Sequence, residues 1–186
     1  MKAEKKEVRA VVLDILLKGY PDDPRPIYKR EPIVQAVGME QYKLLELIPK
    51  NVSVEIGDEI YIGSGERDKI ERVKRRISYH DLTHGAVNEL PFVIEKIIMS
   101  REQEYVEFYN RSISITPKLH MLHLLPGIGK KLMWELIEER EKKPFENFAD
   151  ISARIKSIPH PEKMILNRIL EELQDQTVKY HLFTSR

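Results

Sequence analysis

The run LPGIGKK, toward the C-terminal end of the chain, combines the residue types best suited to binding a phosphate group. Its central members are Gly127, Ile128, Gly129, Lys130 and Lys131. The glycines permit backbone angles and a close approach that a side chain would block. A helix beginning at about Gly129 would point its first, unpaired N–H groups and its positive dipole end outward. With two lysines beside them, these groups could bind a nucleic-acid phosphate without reading the base sequence.

Residues 122–137, LHLLPGIGKKLMWELI, match the spacing of a helix-hairpin-helix motif. The motif positions are filled by Leu122, Leu125, Gly127, Ile128, Gly129, Leu136 and Ile137. Met133 departs from the pattern, because a small residue is usual there, and it predicts a wider spacing between the two helices. The alternative is a tight helical turn that binds no ligand, or that only packs or contacts a protein. A further alternative has the backbone carbonyls of His123, Leu125 and Ile128 bind a monovalent cation.

A second, degenerate copy of this spacing follows. The apolar positions recur at Ile155, Ile158, Ile169 and Leu170, with Leu166 at the small position. His160 and Glu162 stand where the glycines would be, and Pro159 and Pro161 alter the turn. Without glycines, and with a carboxylate in the turn, this copy is not expected to bind phosphate. Its expected role is structural, because two helical hairpins can bury one core that neither could bury alone.

A basic segment lies earlier in the chain. Residues 66–76, ERDKIERVKRR, hold six basic and three acidic residues. On a strand, Arg72, Lys74 and Arg76 would share one face. A basic stripe on a small barrel is typical of oligonucleotide-binding folds, whereas an ordinary solvated face is the alternative. The candidate stacking platforms are Tyr28, Tyr42 and Tyr61, although tyrosine in a strand is more often a packing residue.

Two other clusters could do chemistry. His80, Asp81 and His84 invite a metal site, but the set lacks a further ligand at a suitable spacing, and Asp81 or Thr83 as a helix cap is the simpler interpretation. The metal prediction is therefore none, and His120 and His123 are expected on a helix surface. The second cluster comprises Asp22, Asp23 and Arg25 in the loop YPDDPRP. It could bind Mg²⁺ in a nuclease, but stabilisation of a turn is the favoured interpretation.

The elements that must position these residues fall into two classes. Short apolar or alternating runs predict strands at residues 8–17, 32–37, 42–48, 52–56, 59–63 and 69–79. A helical period begins at Thr83, with Pro91 marking a start or a kink, and a Ser100–Gln103 capping box is expected to open a second helix over 101–110. Residues 111–118 are expected to be a linker, 120–173 mostly helical, and 177–183 an added strand or a frayed tail.

The predicted fold class is α+β: an N-terminal small β-barrel of the oligonucleotide-binding (OB) type, followed by an all-α tandem helix-hairpin-helix domain. The expected divisions are 1–82 for the barrel, 83–117 for connecting helices and linker, and 118–186 for the helical domain with its tail. Two small domains suit a chain of 186 residues.

Composition limits the possible functions. The chain has 31 Lys and Arg residues against 30 Asp and Glu, so any nucleic-acid site must be a local patch. The absence of cysteine excludes disulfides, thiol nucleophiles and Cys-ligated metal sites. No apolar run is long enough for a membrane span, and the charged N-terminus MKAEKKEVRA lacks a signal-peptide core, so a cytoplasmic location is expected. The abundance of Lys, Glu and Arg is also typical of thermophile proteins.

The whole chain resembles an archaeal group, domain-of-unknown-function family 655. The resemblance is carried by VRAVVLDILLKGYPDDPRP, RISYHDLTHGAVNELP and LLPGIGKK. It implies RNA binding by an OB-like barrel with a helix-hairpin-helix tail, and it implies no reaction.

The expected function is therefore non-enzymatic binding of nucleic acid, with RNA favoured over DNA, and with no cofactor and no membrane. The hairpin would clamp a phosphate while the basic strand lies along the nucleic acid. The alternatives are a protein-interaction adaptor in an information-processing complex, which the balanced charge favours, and a metal-dependent nucleic-acid enzyme.

Overall fold

The protein is an α+β chain in the computed structural model, which describes residues 6–51 and 53–185. The strands are β1 Arg9–Leu16, β2 Ile33–Gly38, β3 Leu44–Pro49, β4 Glu59–Tyr61, β5 Ile70–Arg76, β6 Ser114–Thr116 and β7 Leu119–His120. The helices are α1 His84–Ser100, α2 Glu102–Arg111, α3 Lys130–Lys142, α4 Phe148–Arg154 and α5 Pro161–Gln174. Within the described ranges, no helix combines the length and apolar character that a bilayer crossing requires.

The described chain forms two compact units. The first holds the residues up to Val93 together with those from Leu173 onward, and the second is Ile94–Glu172. Both α1 and α5 therefore begin in one unit and end in the other. The basic strand is β5, and it belongs to the first unit. The turn Gly127-Ile128-Gly129, called the glycine turn below, belongs to the second.

The first unit is an antiparallel five-stranded sheet in the order β4-β1-β2-β3-β5. Its two edges, β4 and β5, are not paired with each other in the described chain, so the sheet is a curled half-barrel rather than the small barrel expected. Successive residues of a strand face opposite sides of the sheet. Every second side chain therefore faces the concave side, where the apolar ones form the core. This core consists of Ala10, Val12, Val34, Ala36, Leu45, Leu47, Ile60, Ile62 and Ile70.

The predicted hairpin at residues 52–63 is only half formed. Its second arm is β4, but residues 53–56 form no strand, and Val52 lies outside the described residues. The turn at Gly57 is present, with a left-handed φ of 87° that favours glycine. The N–H of Gly57 donates to the carbonyl of Val12 at 2.8 Å, so this segment is bonded to β1 rather than to β4.

Of the two predicted helix caps, the one at the start of α1 is present and the one at the start of α2 is not. The Thr83 hydroxyl accepts the Ala86 N–H at 3.1 Å, which caps α1 as expected, and Pro91 lies inside that helix. The predicted Ser100–Gln103 capping box is wrong. The Ser100 hydroxyl donates to the Ile97 carbonyl at 2.8 Å, because Ser100 is still the last residue of α1. The residue before α2 is instead Arg101, which makes no side-chain cap.

The predictions for the later segments have different outcomes. Residues 111–118 are not a plain linker, because they contribute to the short β6–β7 hairpin. The segment from residue 120 is mostly helical, as predicted, although a four-residue 3-10 turn, Met121–Leu124, and not an α-helix precedes the glycine turn. The tail at 177–183 forms no strand within the described chain.

Candidate nucleic-acid interface

Buried apolar residues of the same segment anchor the glycine turn. Leu122, Leu125 and Ile128 are all buried. The N–H of Leu125 donates to the Leu122 carbonyl, and the N–H of Ile128 donates to the Leu125 carbonyl, both at 3.1 Å. The 3-10 turn stops at Leu125 because the next residue is Pro126, and a residue before proline disfavours helical angles. A four-residue 3-10 turn therefore stands where the helix-hairpin-helix spacing predicts the first helix.

His120 helps to fix the start of this turn. Its Nδ1 atom accepts the Leu122 N–H at 3.0 Å, and the residue is buried, not on a helix surface as expected. Burial lowers the pKa of His120, which keeps the ring neutral and able to accept this hydrogen bond. His123, by contrast, is half-buried and lines the concave side of the turn.

The two glycines have different physical roles. Gly127 has a φ of 91°, a left-handed angle that a residue with a side chain rarely adopts. Gly129 has φ −83° and ψ 179°, which any residue can adopt. A Cβ atom placed on Gly129 would meet no atom of the described chain within 4 Å. The fold therefore requires glycine at Gly127 and does not require it at Gly129.

The first turn of α3 carries unused hydrogen-bond donors and positive charge. Helix α3 begins at Lys130 with Gly129 as its N-cap, as predicted, and no side chain caps it. The first intrahelical bond at this end runs from the Met133 N–H to the Gly129 carbonyl at 3.0 Å. Among the described residues, the backbone N–H groups of Lys130, Lys131 and Leu132 have no acceptor. Lys130 and Lys131 are exposed, and neither forms an ion pair in that part of the chain.

A shallow concavity of about 600 Å³ lies beside the turn. It is lined by His123, Leu124, Leu125, Pro126, Gly127, Ile128, Gly129, Arg168 and Glu171. The charges of α5 in this lining are balanced, because Arg168 pairs with Glu171 at 2.9 Å and with the buried Glu172 at 3.0 Å. The uncompensated positive charge of the turn thus lies at the start of α3 and not along α5. The three residues considered for a cation, His123, Leu125 and Ile128, all border this concavity.

The second copy of the motif spacing, residues 155–170, packs its apolar residues as the first does but has no glycines in its turn. Ile155 and Ile158 are buried like Leu122 and Leu125, 33 residues earlier, and the Ile158 N–H donates to the Ile155 carbonyl at 2.9 Å. Pro161 takes the place of Ile128 and is likewise buried. Two polar contacts, one buried and one partly buried, also join the helices of this unit. The Tyr109 hydroxyl donates to the Pro161 carbonyl at 2.9 Å, and Arg140 donates to the Tyr109 carbonyl at 2.8 Å.

The basic side chains predicted on β5 are largely occupied by acceptors within the protein. Arg72 pairs with Glu31 at 3.0 Å, and Lys74 lies 3.9 Å from Glu46. Arg76 donates to the Ser185 carbonyl at 2.6 Å. Each of the three cations therefore already has an acceptor within the protein, and a ligand would have to compete with it.

A β-bulge also breaks the predicted alternation of β5. Val73 pairs with Leu47 and Arg75 pairs with Glu46, which leaves Lys74 as the extra residue. Arg75 consequently reaches the fully buried Glu46 carboxylate with two hydrogen bonds, at 2.9 and 2.7 Å. Strict alternation would place Arg75 with Val73 and Ile77, on the face opposite Arg72, Lys74 and Arg76, so the pattern does not predict this pair. No periodic signal could reveal it, because a bulge shifts side chains without changing composition.

The Glu46 carboxylate is the centre of a polar network under the YPDDPRP loop. The Tyr20 hydroxyl donates to it at 2.5 Å and accepts from the Gln35 amide at 2.8 Å. Burial and then the hydrogen bond to Glu46 raise the pKa of Tyr20 to about 12, so the phenol stays protonated as a donor. Gln35 also accepts the Thr83 N–H at 2.8 Å, which links the sheet to the residues before α1. Two of the three segments that carry the family resemblance meet in this network.

Comparison with known proteins gives the same picture of fold and family. The profile of the family described as "Protein of unknown function (DUF655)" matches residues 6–185. The chain belongs to the DUF655 family. It is 47% identical over 184 residues to "Uncharacterized protein MJ0038" of Methanocaldococcus jannaschii, covering 98% of this chain and 82% of that protein. It is also similar to the crystal structure of Af1531 from Archaeoglobus fulgidus, with TM-score 0.90 and 50% identity, covering 96% of this chain and all of that one.

The other candidate clusters of this DUF655 protein have structural contacts. Arg25 binds Asp23 through its backbone N–H at 2.9 Å and its side chain at 2.7 Å, as expected of a turn. These hydrogen bonds lower the pKa of Asp23 to about 2. Asp81 accepts from both the N–H and the hydroxyl of Ser78, which caps a 3-10 turn and lowers the pKa of Asp81. No group of three or more possible metal ligands occurs among the residues that the structure describes.

The tyrosines proposed as stacking platforms of the DUF655 chain differ in exposure. Tyr42 is buried in the core and has φ 56°. The Tyr61 hydroxyl accepts the Gly65 N–H at 3.0 Å, and its ring lies against Gly63. Tyr28 is the most exposed of the three, at 83%, and the Lys29 ammonium lies over its ring, 5.9 Å from the centroid.

Proposed function

We propose that this protein binds nucleic acid, RNA in preference to DNA, by gripping the phosphate backbone at the Gly127-Ile128-Gly129 turn. In this proposal residues 122–137 are a helix-hairpin-helix motif, residues 155–170 are its degenerate copy, and the half-barrel is of the OB type. The observation that carries the proposal is Gly129. Its surroundings are open and its backbone angles suit any residue, so neither packing nor backbone strain requires a glycine. A ligand that approaches the main chain closely does give one.

The charges around the turn support the same ligand. Lys130 and Lys131 have no carboxylate partner among the described residues, and the N–H groups beside them lack acceptors. A phosphate can satisfy both needs at once, because it carries negative charge and several acceptor oxygens. Binding there would not require an existing ion pair to break.

The basic strand has a secondary role in this proposal. Arg72, Lys74 and Arg76 each lie near an acceptor of the protein, so a phosphate must compete for them. The Arg72–Glu31 pair is exposed, and such pairs are weak, roughly 0–1 kcal/mol, so at this arginine the competition lowers affinity without preventing contact. We therefore expect few neutralised phosphates and binding of modest strength.

The test is a salt titration of the full chain with RNA and DNA strands of the same sequence. The logarithm of the association constant should fall linearly with the logarithm of salt concentration, by roughly 0.7–0.9 for each neutralised phosphate. The double variant Lys130→Gln/Lys131→Gln should reduce that slope by about 0.7 on a single strand, the amount for the one phosphate bound at the start of α3. The matched control is Lys142→Gln at the other end of α3, where the lysine pairs with Glu139 at 2.6 Å. This control should leave the slope unchanged.

Three results would contradict the proposal. A slope near zero for both nucleic acids would mean that no phosphate is neutralised. Equal loss of binding in Lys142→Gln and in the double variant would mean that overall charge matters, rather than the start of α3. Strong dependence on base sequence would contradict a grip on the backbone alone.

A further inference from the structure

The only tryptophan of the chain is Trp134, and 51% of its surface is exposed. It lies on α3, whose buried face is formed by Met133 and Leu136. Trp134 points away from that face, and no aromatic or cation–π partner for it occurs among the described residues. Tryptophan is costly to leave in water, because its large apolar surface favours burial.

Trp134 shares a surface with the two unpaired lysines. It follows Lys130 by four residues and Lys131 by three, spacings that bring side chains together on one side of a helix. Its Cα lies about 6 Å along the helix axis from that of Lys130. Helical side chains lean toward the N-terminus, so the indole extends over the first turn of α3. An exposed aromatic ring, two cations and free N–H donors thus occupy one small area.

We infer that Trp134 is a stacking platform for one unpaired nucleobase whose backbone phosphate is bound at the start of α3. The inference rests on the proposed function and adds the kind of nucleic acid, a single strand or an unpaired stretch. Bases in a duplex have both faces covered by their neighbours, whereas an unpaired base offers a face to an aromatic side chain. Stacking of this kind tolerates any base, which agrees with a grip that does not read sequence.

The charges further along α3 limit where the strand can lie. Glu138 and Glu141 are exposed on the same side of the helix, on the turns that follow Trp134. These carboxylates repel a phosphate backbone. The strand is therefore confined to the first turn, where one base can reach the indole while its phosphate remains at the lysines.

Because the chain has one tryptophan, its fluorescence reports directly on this site. The full chain is titrated with a 12-nucleotide RNA, with a strand of equal length lacking its bases, and with a blunt RNA duplex. The base-containing strand should quench the emission, and the abasic strand should bind with little quenching. Trp134→Ala should weaken binding of the normal strand by about tenfold or more and leave the affinity for the abasic strand unchanged. Trp134→Phe should retain part of the difference, because phenylalanine still offers an aromatic face.

The outcomes separate this inference from the proposed function. If RNA binds with a salt slope that depends on Lys130 and Lys131, yet Trp134→Ala binds normally or the abasic strand quenches equally, the stacking inference is overturned and the clamp survives. If the duplex binds as well as the single strand and quenches the emission as strongly, the inference fails in its choice of nucleic acid. If no RNA binds at all, both fail. A circular dichroism spectrum for each variant guards against loss of binding through misfolding.

Discussion

Alanine at the two glycines of the turn should separate what the fold needs from what the ligand needs. Gly127→Ala forces a Cβ atom into a left-handed backbone with φ 91°. That Cβ atom would lie 3.7 Å from Met164 Cε, an ordinary contact, so the cost comes from the backbone alone. We expect a loss of roughly 1–2 kcal/mol in the free energy of unfolding.

Gly129→Ala should behave differently. Its angles suit alanine and its Cβ would enter open space. Reduced freedom of the unfolded chain stabilises such a variant by about 0.4–1 kcal/mol, and alanine is a poorer N-cap than glycine by a similar amount. The two effects offset each other, so the free energy of unfolding should stay within about 1 kcal/mol of the parent. RNA affinity, however, should fall, because the new methyl group occupies the path of the phosphate.

Urea unfolding followed by Trp134 emission and by far-ultraviolet circular dichroism measures the stability of each variant, and a filter or anisotropy assay measures RNA affinity. The comparison is informative because the changes are chemically identical and lie two residues apart. Gly129→Ala that is as unstable as Gly127→Ala would mean that the fold requires both glycines. Gly129→Ala that is stable and binds RNA like the parent would refute the close approach of a phosphate at that residue.

Two further predictions concern the first unit. Burial raises the pKa of Glu7 to about 7, so the folded chain favours its protonated form; stability should fall as pH rises from about 4.5 to about 7, and this dependence, measured by urea midpoints, should be lost in Glu7→Gln. Arg75→Ala should lower the free energy of unfolding by about 2 kcal/mol, because it removes the hydrogen-bonded cation of the buried Glu46 and leaves only Lys74 at 3.9 Å, a loss discounted for the half-exposed arginine. Adding Glu46→Gln to Arg75→Ala should recover part of that loss in the same urea experiment; no recovery would mean that the buried charge is not its cause.

Features set by neighbouring residues could be predicted from the sequence. The strands at β1, β2, β3 and β5, the cap of α1 at Thr83, and the start of α3 after Gly129 all depend on apolar period or capping chemistry. The same is true of the Asp23–Arg25 turn, where proline and aspartate act over a few residues. Family membership likewise follows from motifs that the sequence carries openly.

Features that depend on distant residues could not be predicted in this way. The alternation rule puts Arg72, Lys74 and Arg76 on one face, but the bulge opposite Glu46 shifts the strand at Lys74. The acceptor of each cation lies 28 or more residues away in the sequence, and no local pattern indicates it. The half-formed hairpin before β4 has the same origin, since Gly57 bonds to β1.

The sequence by itself determined the turn: glycine at Gly127, a helix start at Lys130 and two lysines beside it, because backbone angles and helix ends are decided by the residues that form them. Only the tertiary structure decided which charges remain available. In the folded protein, acceptors from elsewhere in the chain bind the cations of the basic strand, whereas Lys130, Lys131 and Trp134 remain exposed. Ion pairing and exposure depend on what folding brings alongside a residue, and that information is spread over the whole chain.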